Sequence, residues 1–372
     1  MVEVAGGLSV ARGKMMDVSK DPNFAGLTAT LVTVDLDQVM PDEVLGEFNK
    51  ILGIPAPPGR RGPAGFLGPR VAMSMHAQQV PLLDALLRFS AQVKSRVRTL
   101  TPQMVELSPP PPTNLNVRAE SGLGVWCLAG PFAVSLDRVD LSASYEATDT
   151  VRREATLAMT LYAEPKVKVA QFPQKLKVQS FVDEKDQEIA LDAPTGGIAN
   201  RTPAMVRMKV QLPEQHGHKL AMLRGSAPFQ VVTESEDVET GVPVTSAVTK
   251  AVGGMTVEFL PSGAGIPAMT LRFSRGAMPA EKWAVISPLL TSVAIDAFGG
   301  NAGAQPPNVR LENGGRGGAG PAQGPLPETV SVTATFGRSN TAFPAADRAV
   351  VRIPLGVRVV DVPFEFKDLV LP

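Results

Sequence analysis

Apolar and polar positions alternate along "TLVTVDLDQV", with Val32, Val34 and Leu36 on one face and Leu31, Thr33 and Asp35 on the other. This period of two predicts a strand. The period then changes. In "MPDEVLGEFNKILGI", Val44, Leu45, Phe48, Ile51 and Leu52 form a helical stripe. Pro41 suits a first helical turn, Asp42 and Glu43 suit its positive end, and Gly53 suits its stop.

The same grammar returns about forty residues on. "RVAMSMHAQQ" reads as a strand with Val71, Met73 and Met75 on one face, and "VPLLDALLRFSAQV" as a helix opened by Pro81. The connector between the two units, "GIPAPPGRRGPAGFLGPR", is rich in Pro and Gly. "LSPPPPTN" at 107–114 is a stiff polyproline stretch that reads as a boundary. Beyond it the helical period disappears. "PFAVSLDRVDLSASYEA", "EATLAMTLYAEPKVKVAQ", "MVRMKVQL", "MTVEFL", "TVSVTATFG" and "AVVRIPLGV" all read as strands. Such a run with no helix between its members predicts stacked antiparallel sheets.

A short pattern recurs within the strand region: "GPFAVSL" at 130–136, "APFQVVT" at 227–233 and "VPFEFKD" at 362–368. Proline donates no backbone hydrogen bond and suits a strand's first position or an edge. The phenylalanine then falls on the apolar face. The three copies therefore read as strand-opening marks in β domains. The predicted architecture is α+β multidomain and predominantly β. It has a leader (1–25), a small N-terminal α/β domain (26–112) and two antiparallel β-sandwich (Ig-like) domains (113–232 and 233–372). The last carries a Gly/Pro-rich insertion at 298–329, with at most a short strand at "NVRLE".

Composition narrows the functional classes. The chain has 372 residues, 36 Lys+Arg against 36 Asp+Glu, and so no net charge. It lacks the basic footprint of a general nucleic-acid binder, and nothing electrostatic opposes self-association. Cys127 is the one cysteine, so no intrachain disulfide forms, and "VWCLAG" places it as a small core residue. No apolar run reaches the ~18–20 residues of a membrane span. "MVEVAGGLSVARGKMMDV" lacks the apolar core of a secretory signal.

Two resemblances add to this reading. Val71, Met73, Met75, Val80, Pro81, Leu82, Ala85, Leu86 and Phe89 form "V-x-M-x-M-x4-V-P-L-x2-A-L-x2-F". This resembles the short N-terminal domain of secretins and TonB-dependent receptors, which implies an apolar strand, a proline-led helix and then more strand. Residues 122–372 carry, in order, "GPFAVSLDRV", "LAMTLYAEPKVKV", "FVDEKDQEIAL", "LRGSAPFQV" and "VPFEFKDLVLP". As a set they resemble uncharacterised, envelope-associated multi-β-domain proteins of planctomycete-type bacteria. That resemblance implies extracytoplasmic sandwich modules behind a signal peptide and no catalytic residues. The expected location is thus the periplasm or cell surface, with the cytoplasm as the alternative.

The search for chemistry yields few candidates. In "PEQHGHK", Glu214, His216 and His218 are spaced as metal ligands on a strand would be, but Pro213 and Gly217 make a solvated turn the expected structure. His76 reads as incidental. "TESEDVE" places Glu234, Glu236 and Asp237 where calcium could sit loosely or where a solvated edge would lie. Asp183, Glu184 and Asp186 read as a polar hairpin. No G-x-S-x-G elbow occurs, and "GGRGGAG" lacks the Gly-Lys-Ser/Thr ending of a phosphate loop. Scattered methionines read as core filler.

The expected function is a non-enzymatic structural or protein-interaction component of a bacterial envelope or surface assembly. It would use no cofactor and would pair with copies of itself or with protein partners. The alternatives are a carbohydrate- or polymer-binding sandwich protein and, behind it, a hydrolase with a dispersed site.

Overall fold

The structure is a computed structural model. It describes residues 12–54, 71–101, 104–108, 125–145, 151–173, 175–191, 203–212, 219–242, 244–261, 268–299, 309–313, 328–336 and 346–370. The protein is predominantly β, with several sheets and, among the described residues, three α-helices. The elements of the N-terminal part run β1 (Arg12–Met15), β2 (Leu31–Val39), α1 (Pro41–Ile51), β3 (Met73–Pro81), α2 (Leu82–Gln92), β4 (Arg96–Thr101) and β5 (Met104–Ser108). The first large sheet draws on β6 (Val125–Ala129), β7 (Phe132–Tyr145) and β8 (Val151–Ala163). Then follow β9 (Val169–Gln171), β10 (Lys177–Asp183), β11 (Ala190–Leu191), β12 (Ala204–Gln211) and the long β13 (Lys219–Gly241). The remainder comprises β14 (Val248–Val252), β15 (Met255–Pro261), β16 (Ala268–Ser274), α3 (Ala280–Ile286), β17 (Ala294–Gly299), β18 (Val309–Asn313), β19 (Thr329–Phe336) and the long β20 (Ala346–Val370).

The chain forms two compact units, one of Met1–Gln230 with Val359–Pro372 and one of Val231–Arg358. This differs from the three consecutive domains expected after the leader. Two observations account for the difference. The helical layer does not close a core of its own: Val44, Leu45, Phe48, Leu86 and Phe89 share one cluster with Trp126, Leu128, Ala133 and Tyr162 of the first large sheet. The last strand also returns to the first unit, where Val360, Val362, Phe364 and Phe366 are fully buried.

In the first unit the six-stranded sheet is ordered β1-β6-β7-β8-β12-β11. Its central strands are covered on both faces. Trp126, Leu128 and Ala133 face the helices, while Phe132 meets Phe229 of β13 at 4.8 Å between ring centroids. Burial on two faces explains why "VWCLAGPFAVSL" is apolar almost throughout instead of alternating. The three Pro-Phe copies all serve this one unit: Phe132, Phe229 and Phe364 are each 0% exposed. Pro131 precedes its strand as expected. Pro228 and Pro363, however, lie inside β13 and β20. At Pro363 the missing N–H is tolerated because β17 reaches β20 only as far as Arg352, which leaves that side of β20 without a strand partner among the described residues.

The span expected to be a leader carries structure over its described part. β1 pairs in parallel with β6, from Arg12 against Val125 to Met15 against Leu128. A 3-10 turn over Pro22–Phe24, capped by Asp21, then buries Phe24 against Phe132.

In the second unit, β14-β15-β16-β19-β18 form one sheet. Val257, Phe259, Leu271, Phe273 and Val332 of that sheet pack with Val238, Val351 and Ile353 of β13 and β20, and with Trp283 and Ile286 of α3. The short strand expected at "NVRLE" is β18, and it pairs with β19.

Candidate functional site

The histidine turn with Glu214, His216 and His218 lies outside the described residues. The acidic run of β13 is described: Glu234 and Glu236 are exposed, while Asp237 and the following Glu239 are met across the sheet by arginines of β20. Asp237 accepts from Arg352 at 2.9 Å (Nε to Oδ1) and 3.2 Å (Nη2 to Oδ2), and Asp296 approaches the same guanidinium at 3.7 Å. Arg348 reaches Glu239 at 3.5 Å. The hydrogen bond to Asp237 raises the pKa of Arg352 further. Asp237 and Glu239 are thus one side of a cross-strand ion-pair ladder. Among the described residues no group of three or more His, Cys, Asp or Glu side chains is placed to hold a metal ion.

Asp183 is fully buried, and its Oδ1 accepts from the N–H groups of Lys185 and Gln187, both at 2.9 Å. The carboxylate therefore shapes the predicted hairpin itself, with Asp186 at φ 58°. His76 has more company than a lone strand histidine. Its Nδ1 lies 2.6 Å from Asp35 and its Nε2 3.2 Å from Asp37, and all three side chains are exposed.

Cys127 is buried, as its sequence context predicts, and burial pushes its thiol up to about 11. Its Sγ donates to the carbonyl of Glu365 at 3.1 Å and accepts from the N–H of Glu365 at 3.2 Å. One thiol thus satisfies both backbone groups of a residue on the open side of β20, which is a structural use of a cysteine. Glu365 in turn pairs with Lys14 of β1, which holds its carboxyl below the usual range.

A bulge in β7 between Leu136 and Arg138 turns Asp137 toward Ser135 and Thr160, whose hydroxyls both donate to it. Burial raises the pKa of Asp137, and burial holds Tyr162 well above the usual tyrosine range. The two hydroxyls and the carboxylate thus satisfy one another across β7 and β8.

Two buried carboxylates were not singled out from the sequence. Asp84 accepts from the indole N–H of Trp126 at 3.0 Å and pairs with Arg88 at 2.7 Å. Glu164, 1% exposed, accepts from the N–H of Thr30 at 2.9 Å and from its hydroxyl at 2.6 Å. The first had a visible signal, an acid set inside the apolar run "LLDALL". The second had none, because its partner lies 134 residues earlier.

No family model, curated protein or solved structure matches the chain. No helix among the described residues is long and apolar enough to cross a membrane.

Proposed function

We propose that this protein is a non-enzymatic structural or protein-interaction component of a bacterial cell envelope or surface assembly, built from Ig-like sandwich modules and associating with copies of itself. The envelope part extends the resemblance of residues 122–372 described above. One observation carries the association: β14 is the terminal strand of its sheet. Val252 pairs with Met255 across a two-residue turn, where Gly253 and Gly254 have φ of 53° and 88°. That turn puts Val252, Lys250 and Val248 in hydrogen-bonded pairs with β15, so Thr249 and Ala251 turn their backbone groups outward. A lysine on an edge often blocks pairing. Here Lys250 is drawn back instead, donating to the carbonyl of Glu239 at 2.6 Å. Val248 and Thr249 are left exposed beside the open backbone. The buried polar groups support the same reading, since Asp84, Glu164 and Cys127 all act as fasteners between segments.

Static light scattering over a concentration series tests this. The native chain is expected to gain mass with concentration, and Thr249→Pro, which removes an outward N–H without touching the ladder to β15, to remain monomeric. A native chain that stays monomeric, or a variant that associates equally well, overturns the proposal.

A further inference from the structure

The first unit carries a half-open groove of about 330 Å³ on the polar side of β10, β13 and β20. Lys177 and Ser226 are register partners, and Lys177 reaches past β13 to Asp361 of β20, bonding both carboxylate oxygens at 2.9 Å. That bridge is internally neutral. Two residues along β13, Arg224 is exposed and has no carboxylate in salt-bridge reach among the described residues. The β10 bulge between Val178 and Ser180 adds the amide of Gln179 beside it. Bulges of this kind re-aim side chains at sites.

The remaining wall is the loop after β1, which brings Asp17 and Asp21 to the groove. Each uses one oxygen locally: Oδ1 of Asp17 accepts from the N–H of Ser19 at 3.0 Å, and Oδ1 of Asp21 from the N–H of Asn23 at 2.8 Å. Among the described residues each keeps its Oδ2 uncommitted. The bond from the Ser19 hydroxyl also keeps the carboxyl of Asp17 below the usual range, so it is ionised at neutral pH. With the Lys177–Asp361 pair cancelled, the groove presents one cation on the sheet and two anions on the loop.

We infer that this groove binds a small amino carboxylate, its carboxylate on Arg224 and its ammonium groups on Asp17 and Asp21, with a basic amino acid as the best-matched member. The excess negative charge favours a ligand with two cationic groups over a simple zwitterion. The volume lies at the low end of ligand sites, which run from roughly 300 to 1,000 Å³, and so suits a single amino acid rather than a chain. Exposed ion pairs contribute little each, so the affinity falls on the order of 1 mM. This inference goes beyond the proposed assembly role and does not depend on it, because the groove and β14 belong to different units.

Saturation-transfer NMR on the full chain tests it, with L-lysine as the probe, 1,5-diaminopentane as the analogue lacking a carboxylate and hexanoate as the analogue lacking ammonium groups. L-Lysine is expected to give a saturable signal, with both analogues weaker by about tenfold. Arg224→Ala should bring L-lysine down to the level of the diamine. Asp21→Asn, which keeps the turn's cap, should weaken L-lysine and diamine together. Arg224→Gln supplies the same arm should the alanine variant fail to fold. An unsaturable lysine signal, a diamine equal to lysine in the native chain, or lysine binding unchanged without Arg224 overturns the inference.

Discussion

Carboxylate oxygens only accept hydrogen bonds, so a histidine with a carboxylate at each ring nitrogen must donate from both. His76 lies between Asp35 at 2.6 Å and Asp37 at 3.2 Å, so its protonated form is a clasp between β3 and β2. Its pKa is raised from 6.5, first by the hydrogen bond that His76 donates to Asp35. A raised value in the folded state means that the clasp is complete below 6.5 and is lost as the pH climbs through the raised value. Asp35→Asn is therefore expected to bring the His76 titration back toward 6.5, and Asp37→Asn to do so by less, as followed by the pH dependence of the His76 ring proton shifts. A titration unmoved by Asp35→Asn would remove the clasp. None of this is legible in "MSMHAQQ", because Asp35 is 41 residues away. The same distance problem hides the purpose of Cys127. Its burial is readable from "VWCLAG", but its two bonds to Glu365 span 238 residues and depend on an open strand side that no local pattern encodes.

At the scale of elements, legibility follows how much of an element's stability is local. α1 begins at Pro41 and buries Val44, Leu45 and Phe48, as the stripe and the acidic first turn predict. The alternation of β12 is equally plain, with Ala204, Val206, Met208 and Val210 buried and Met205, Arg207, Lys209 and Gln211 exposed. β1 is the opposite case. "RGKM" has neither period, and it becomes a strand because β6 offers an edge and because Gly13 fits where a side chain cannot. A Cβ at Gly13 would stand 2.3 Å from the indole nitrogen of Trp126 and 2.6 Å from Asp84 Oδ1. Both groups are fixed by their mutual hydrogen bond, so β1 has to give way. Gly13→Ala is expected to destabilise the first unit by about 1–3 kcal/mol and to release β1. The amide of Met16, which bonds Leu128 O at 2.7 Å, should then exchange faster. Unchanged exchange and an unchanged urea midpoint would show that β1 is not held by this fit.

For the whole molecule, the order of residues in the chain is not the order of its units. Pattern reading assigns domains as consecutive blocks, because periodicity is a local property and a returning strand looks like any other. Here β13 and β20, of 23 and 25 residues, each contribute to both units, and the closing segment 359–372 belongs with residues 1–230. The segment matters energetically. It buries Val360, Val362, Phe364 and Phe366, each worth about 1.5–3 kcal/mol of burial. Together they approach the ~5–15 kcal/mol of net stability typical of a folded protein. Its loss should therefore unfold the first unit while sparing the second, although the second is nearer in sequence. The two tryptophans separate these outcomes, since Trp126 lies in the first unit and Trp283 in the second, each 2% exposed. In a Trp283→Phe background, ending the chain at Arg358 is expected to shift Trp126 emission to that of a solvated indole and to abolish its cooperative melt. In a Trp126→Phe background, the same truncation should leave Trp283 emission blue-shifted and its melt cooperative. The reverse pattern, a native Trp126 signal with a disrupted Trp283 signal, would show that the closing strand belongs to the unit it follows in sequence.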